Sequence, residues 1–393
     1  MKRNLHVILL ISLSLFVFSC KKESAPPAVV QPASAKFTVS ASGTGCSNTT
    51  VSGTYISGTP LDGSNKITVQ VNVTTTGTYS VASTIYYGIK FTGSGTFTTT
   101  GNQTITLTGS GTPLYAGSFS IPFSAGFSNC RLNLFVNPPP QGALADNDHM
   151  LLGNPSNASF IIDSTNNYLM RKTYYATSYS SDRGTPNWVS WHLYSQDLGS
   201  TPRQDDFRPD ASLPPDWYYV SETAFSSSGF DRGHNCPSGD RTSTIEANSS
   251  TFLMTNMIPQ APFMNQEPWA KMEDSLRRLV NFGNELYIIM GTYGAGGTGT
   301  NGFVTTIDGG HVTVPADVWK VAVIIQNGNN DISRINASIR IIAVDMPNTI
   351  SVNSNWKNYR TSVDAIEAAT GYDLLNQLPV SVQAVLEARV DNL

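Results

Sequence analysis

Two hydrophobic periodicities divide this chain. From residue 36 to 137, apolar and polar positions alternate with a period of two. Lys66-Ile67-Thr68-Val69-Gln70-Val71-Asn72-Val73 and Gln103-Thr104-Ile105-Thr106-Leu107-Thr108 are examples. Gly, Ser and Asn interrupt the alternation roughly every eight to twelve residues, as turns between strands do. This predicts an all-β, sandwich-like domain over 36–137. Asn137-Pro138-Pro139-Pro140-Gln141-Gly142 then ends the pattern, because prolines cannot continue a sheet ladder. A Pro-rich linker is expected over 138–148.

From residue 149 onward the pattern is mixed. Tyr168–Tyr179, Trp188–Leu193, Glu285–Gly291, Val318–Ile325 and Arg340–Val344 read as strands. Pro268–Asn281, Val352–Thr370 and Ser381–Val390 read as helices. The first of these has proline in its opening turn. Trp269, Met272, Leu276, Leu279 and Val280 form its apolar stripe. Glu273 and Arg277 lie on the flank of that stripe, where a side chain is held firmly yet reaches a cleft. The plain alternative is a surface ion pair between them at i,i+4.

The first twenty residues follow neither pattern. Lys2 and Arg3 precede an apolar run, Leu5 to Phe18, and Ser19 precedes Cys20. The run is shorter than the ~20 residues that span a bilayer. It reads as a cleavable export signal. A small residue before cysteine resembles the bacterial lipobox, which implies a lipid on Cys20 and membrane attachment through it. Residues 21–35 read as a flexible tether. The expected location is the outer membrane or surface of a bacterium, or the medium if an ordinary signal is cut nearby.

An exported chain meets an oxidising compartment. Cys46 and Cys130 bracket the β-rich region and are the disulfide candidates. Cys236 is then left as a free thiol. Charge alters the picture next. The chain holds 24 basic and 28 acidic residues, but residues 1–137 hold eight and two. The remainder therefore carries a balance of −10. Such a region meets a polyanion only through a local basic strip or a cation.

The β-rich region holds one acid, Asp62, and no histidine. Its tyrosines at 55, 79, 86, 87 and 115 read as strand residues of a spacer, with a binding face as the alternative. Chemistry gathers elsewhere. Asp231-Arg232-Gly233-His234-Asn235-Cys236-Pro237 and Asp240-Arg241 are followed by Asn256-Met257-Ile258-Pro259-Gln260. Then come Asn265-Gln266, Trp269 and Glu273. Histidine is the side chain that accepts a proton near neutrality. Asn and Glu oxygens suit a hard cation. Cys236 lies two residues from His234, so a Cys/His nucleophile or metal pair is a weaker option. Gly291–Gly299 is glycine-rich but lacks the Lys-Ser/Thr ending of a phosphate loop. His149, His192 and His311 have no partner motif.

These motifs, in this order, resemble the DNA/RNA non-specific endonucleases of the ββα-metal (His-Me finger) fold. The resemblance covers roughly 149–393. It includes Pro186-Asn187-Trp188 upstream and Trp319-Lys320, Ile366-Glu367 and Thr370-Gly371 downstream. It implies a multidomain protein whose second part is α+β with a central, mainly antiparallel sheet. It implies hydrolysis of DNA and RNA, with His234 as general base. Asn265 would be the direct ligand of one hydrated Mg²⁺ (Mn²⁺ as a substitute), with Glu273 acting through water. Arg232 would contact phosphate, Asn256 would orient the histidine region or contact the metal's surroundings, and Arg277 is a further phosphate candidate. The competing reading is a surface-anchored binding or adhesion protein with a silent nuclease-like domain. The sequence leaves oligomeric state and the choice between DNA and RNA open.

Overall fold

The computed structural model describes residues 34–140, 142 and 144–393. The expected signal, Cys20 and the tether up to residue 33 lie outside them. No described helix is long and apolar enough to cross a membrane.

The N-terminal region forms a ten-stranded sheet. Lys66–Thr75 pairs antiparallel with Gly101–Gly111. Inward positions Ile67, Val69, Val71, Ile105 and Leu107 enter one core. The strand Lys36–Val39 pairs with Lys66–Thr75 on one side. On its other side Val39 N donates to Ser128 Oγ at 2.7 Å, and Thr38 bridges Gly126. The sheet thus curls around its own core as one surface, where two separate sheets of a sandwich were expected. A disulfide joins Cys46 to Cys130 across 84 residues of sequence. Tyr115 and Tyr87 reach the second region. Tyr115 Oη donates to Leu213 O at 3.1 Å and Tyr87 Oη to Asp216 Oδ2 at 2.5 Å.

The second region is organised by a seven-stranded antiparallel sheet. Its strands are β1 (Tyr168–Arg171), β2 (Ala176–Ser180), β3 (Thr185–Leu193), β6 (Asn284–Tyr293), β7 (Asp317–Gln326), β8 (Arg340–Pro347) and β9 (Arg360–Thr361), adjacent in that order. A separate pair, β4 (Asp231–His234) and β5 (Met257–Gln260), lies between β3 and β6 in sequence. The helices that matter are α1 (Ala270–Asn281), α2 (Val363–Thr370) and α3 (Val380–Leu386).

Both faces of the large sheet are buried, so its central strands read as near-continuous apolar runs. Alternation still sorts their side chains. Val318, Ala322 and Ile324 face the core that holds β4, β5 and α1. Trp319, Val321, Val323 and Ile325 face the core that holds α2 and α3. Lys320 shares the parity of Val318 and Ala322, and so points towards α1.

Three expected elements are redrawn. Tyr168–Tyr179 is a hairpin, closed by Lys172 N donating to Tyr175 O at 2.9 Å. Val352–Thr370 is not one helix. Arg360–Thr361 pairs with Ala343–Val344, and Ser362 then caps α2 by accepting from Ala365 N. The helix expected to start at Pro268 starts earlier, at Pro262. Pro268 sits inside it, where its ring would meet the carbonyl of the preceding turn. The chain accommodates this with a wider π-turn over Asn265–Trp269.

All six tryptophans, from Trp188 to Trp356, lie in the second region. Reduction of Cys46–Cys130 is therefore expected to destabilise the first region by roughly 2–5 kcal/mol while the tryptophan transition stays put. Urea unfolding followed by far-UV circular dichroism and by tryptophan fluorescence, with and without reductant, checks this. A tryptophan midpoint that falls by as much as the dichroism midpoint would contradict it.

Candidate active site

The β4–β5 pair sets the register. Arg232 faces Pro259, Gly233 faces Ile258 and His234 faces Met257. Proline is tolerated here because β5 has only one partner strand. Gly233 leaves no choice of residue: a Cβ there would lie 2.2 Å from Gln260 Oε1. Arg232 and His234, two apart, share the other face.

The strand ends at His234 because Asn256 takes over its continuation. Asn256 Oδ1 accepts from Cys236 N at 2.9 Å, and Nδ2 donates to Cys236 O and Thr251 O at 2.9 and 2.8 Å. Asn256 is fully buried. Its backbone carbonyl also accepts from Asn235 N and Nδ2, both at 3.0 Å. Cys236 is thereby turned into the core. Burial pushes its thiol up to about 12. A Cys/His pair is not formed, because the strand geometry that would align the two side chains ends at His234, two residues before Cys236.

His234 packs edge-on against Phe252 at 4.9 Å and Phe207 at 5.7 Å. Two arginines cap those rings: Arg203 over Phe252 at 4.9 Å and Arg232 over Phe207 at 3.8 Å. The Nε2 of His234 is closed off and has no hydrogen-bond partner among the described residues. Burial, then Arg203, then Arg232 push the imidazole down to about 3.

The helical side is tied to β4 through Asp231. Asn265, in the π-turn, donates from Nδ2 to Asp231 Oδ2 at 2.8 Å, and Gln266 Nε2 donates to the same oxygen at 2.8 Å. The amide nitrogen of Asn265 is thus committed to Asp231, which orients its carbonyl oxygen away. Glu273, on α1, accepts from Lys320 Nζ at 2.8 Å. Lys320 is buried between Trp269 at 4.8 Å and Trp191 at 5.4 Å. Burial raises the Glu273 carboxyl; Lys320 and then Arg277 oppose that rise.

Arg277 does not pair with Glu273 across one turn, as the surface reading had it. Its guanidinium donates to Asp240 Oδ1 at 2.8 Å and to Asp274 Oδ1 at 2.5 Å. Asp240 in turn accepts from Trp191 Nε1 at 3.0 Å. Arg277 is therefore engaged with two carboxylates. Asn348 fastens the assembly to the sheet: it accepts from Ala261 N at 2.8 Å and donates to Pro259 O and Pro315 O at 2.9 and 3.0 Å.

His149, His192 and His311 lie outside this group. His149 Nε2 faces Thr173 O, His192 faces Glu285, and His311 stacks on Tyr218.

The arrangement joins an uncharged histidine, two exposed-side arginines and oriented Asn and Glu oxygens on a strand pair followed by a helix. Comparison with known proteins agrees. The model of the DNA/RNA non-specific endonuclease family matches residues 156–381. The chain belongs to that family.

Its relatives share the same region. A nuclease of Nostoc sp. (strain PCC 7120) is 46% identical over 244 residues, covering 62% of this chain and 86% of that protein. A nuclease of Syncephalastrum racemosum is 27% identical, over 63% of this chain and 78% of its own. The mitochondrial nuclease EXOG of Danio rerio is 25% identical, over 63% and 71%. This non-specific endonuclease is an enzyme, and the adhesion reading is not favoured.

Four residues of the site carried no role in the sequence reading. Asp231 stood in the His234 motif without a role, and Asn348 acts through polar atoms that no pattern flags. Arg203 lies 31 residues before His234, outside every motif. Lys320 left a signal: a lysine amid Val318, Trp319 and Val321 is a charge that burial obliges to find a partner.

Asn256→Ala leaves three backbone groups unpaired, and is expected to cost about 3 kcal/mol or more, measured by urea unfolding. Cys236 should resist iodoacetamide in the native state and react in denaturant; ready native alkylation would refute its burial. The acid response of stability follows from His234. Its folded value lies below the unfolded value of about 6.5. The unfolded chain therefore binds one more proton between about pH 3 and 6.5. That contribution is full above the window and is lost as pH falls through it. His234→Gln is expected to flatten the stability-versus-pH slope there by up to about 1.4 kcal/mol per pH unit; an unchanged slope would show that the imidazole is not held uncharged.

Proposed function

We propose that this endonuclease hydrolyses phosphodiester bonds of both DNA and RNA with little sequence preference, using His234 as general base. The observation that carries the reading is the His234 imidazole, packed on Phe207 and Phe252 with Arg232 and Arg203 over those same rings. His234, through Nδ1 and not the closed-off Nε2, takes a proton from the attacking water as the water oxygen bonds to phosphorus and the bond to the leaving oxygen breaks. Arg232, which donates to the Glu222 carbonyl, and Arg203, which also pairs with the Asp205 carboxylate, hold the phosphate and offset the charge that grows on it. Asn256 keeps the histidine strand in place through Cys236 and is a positioning residue.

The donors nearby fit a hard cation. Asn265 offers a carbonyl oxygen whose orientation Asp231 sets, and Glu273 keeps a carboxylate oxygen beyond the one Lys320 occupies. The neighbouring thiol is protonated and turned away. Oxygen donors with room for water suit Mg²⁺, with Mn²⁺ as a substitute, better than Zn²⁺. When bound, Mg²⁺ supplies charge relief to the phosphate and the leaving oxygen. Asn265 is the direct ligand in this proposal, and Glu273 acts through water. Arg277, committed to Asp240 and Asp274, serves to hold α1. The local cations also answer the −10 balance: binding rests on Arg203, Arg232 and the metal.

We also place the enzyme outside the cytoplasm, attached by lipid on Cys20 or secreted. The Cys46–Cys130 disulfide supports an oxidising compartment. Cys20→Ser should release the protein from the membrane fraction.

The test is cleavage of double-stranded DNA and of RNA by the full chain, with Mg²⁺, Mn²⁺ or chelator. Chelator should abolish cleavage of both. His234→Ala should lose about 10²–10⁴-fold in kcat, and Asn265→Ala should raise the Mg²⁺ requirement. A folded protein that leaves both substrates intact with either cation would sink the proposal.

A further inference from the structure

A second group of acids lies on the far face of the sheet, away from His234. Asp364 and Glu367 stand one turn apart on α2, and Glu387 follows the end of α3. Their carboxylate oxygens lie within 4.8 Å of one another. Asp364 is exposed, Glu367 half-buried and Glu387 only 8% exposed. Three acids held this close repel each other unless a cation joins them or a proton neutralises one.

Among the described residues, no lysine or arginine pairs with any of the three. The neighbouring bases are engaged elsewhere. Arg340 and Arg360 both go to Asp391, at 2.8 and 3.5 Å. Arg389 donates to Ile339 O at 2.6 Å, and Lys357 to Leu393 O at 3.1 Å. The second observation concerns Glu387 itself. Its Oε1 is closed off from solvent and has no hydrogen-bond partner. A buried, unpaired carboxylate oxygen costs several kcal/mol, a cost that a bound cation removes.

We propose that Asp364, Glu367 and Glu387 bind one Ca²⁺ ion, which clamps α3 to α2. Oxygens that lie within 4.8 Å of one another can all reach a single ion at the Ca²⁺–oxygen distance of ~2.4 Å. The donors are all carboxylate oxygens, which selects a hard cation over Zn²⁺ or Cu²⁺. They come from two elements in no regular array, and Asp364 leaves one side open to water. Ca²⁺ accepts such irregular, partly hydrated sets, whereas Mg²⁺ demands a near-ideal octahedron. The ion sits where the two elements already touch: Asp364 N donates to Glu387 O at 3.1 Å. Leu386, next to Glu387, packs in the same core as Val363 and Ile366. The clamp therefore holds the C-terminal segment against the back of the sheet. It is a structural site, independent of the catalytic reading.

Binding is measured by calorimetry and by thermal unfolding on the full chain, in an Asn265→Ala background that disables the proposed catalytic cation site. The parent should take up one Ca²⁺ per chain. Its Tm should rise by about 5 °C or more at a hundredfold excess over Kd. Glu367→Gln with Glu387→Gln should abolish binding and the Ca²⁺-dependent rise. Its Tm without Ca²⁺ should equal or exceed the parent's, because the repulsion is gone. Asp364→Asn, at an exposed position, should weaken binding at least tenfold without changing the Ca²⁺-free Tm, and it serves if the double variant misfolds. A parent that binds no Ca²⁺, or variants that bind it as well as the parent, would overturn the assignment.

Discussion

A lysine in the middle of a buried sheet must be neutralised, and Lys320 has one carboxylate within reach. That constraint places α1. Strand alternation points Lys320 at the face where α1 packs, two tryptophan rings shield it, and Glu273 meets it from the helix. The pair is not worth much as net stability, since both charges leave water. Its value is positional. It leaves one registration of α1 on the sheet, and with it fixes where Asn265 stands relative to β4.

Much of this was readable from residue types. The apolar runs located the central strands, because a sheet covered on both faces needs little polarity anywhere. The Met272, Leu276 and Val280 stripe located α1. The order of the His234, Asn256 and Asn265 motifs pointed to the family. Other features were not local. Nothing in the sequence ties Asp231 to Asn265, or Asn348 to Pro259, since those bonds join residues brought together only by the finished sheet. The π-turn escaped because a proline at the start of a helix and one inside it look alike until the preceding residues are known to be helical. The N-terminal region showed its strands but not its closure, because alternation names the inward face and says nothing of which strand meets the first.

The two ends of the site use opposite electrostatics. Around His234, burial and two arginines keep the imidazole uncharged and leave a positive surface. Around α1, Asp240, Asp274 and Glu273 absorb Arg277 and Lys320, so those cations are structural. An acidic region thus presents a local cationic mouth without a cationic surface. The arginines lie over the rings of Phe252 and Phe207, which limits how far they must reorganise when an anion arrives.

The residues that hold the site in place come late in the chain. Lys320 lies 47 residues after Glu273, and Asn348 lies 87 after Ala261. A ribosome releases His234, Asn256 and Asn265 well before either of these. A nascent chain cut short before residue 320 therefore carries the reactive groups with α1 unregistered and β5 unpinned. Chain order itself delays a competent site until the residues that brace it have been made.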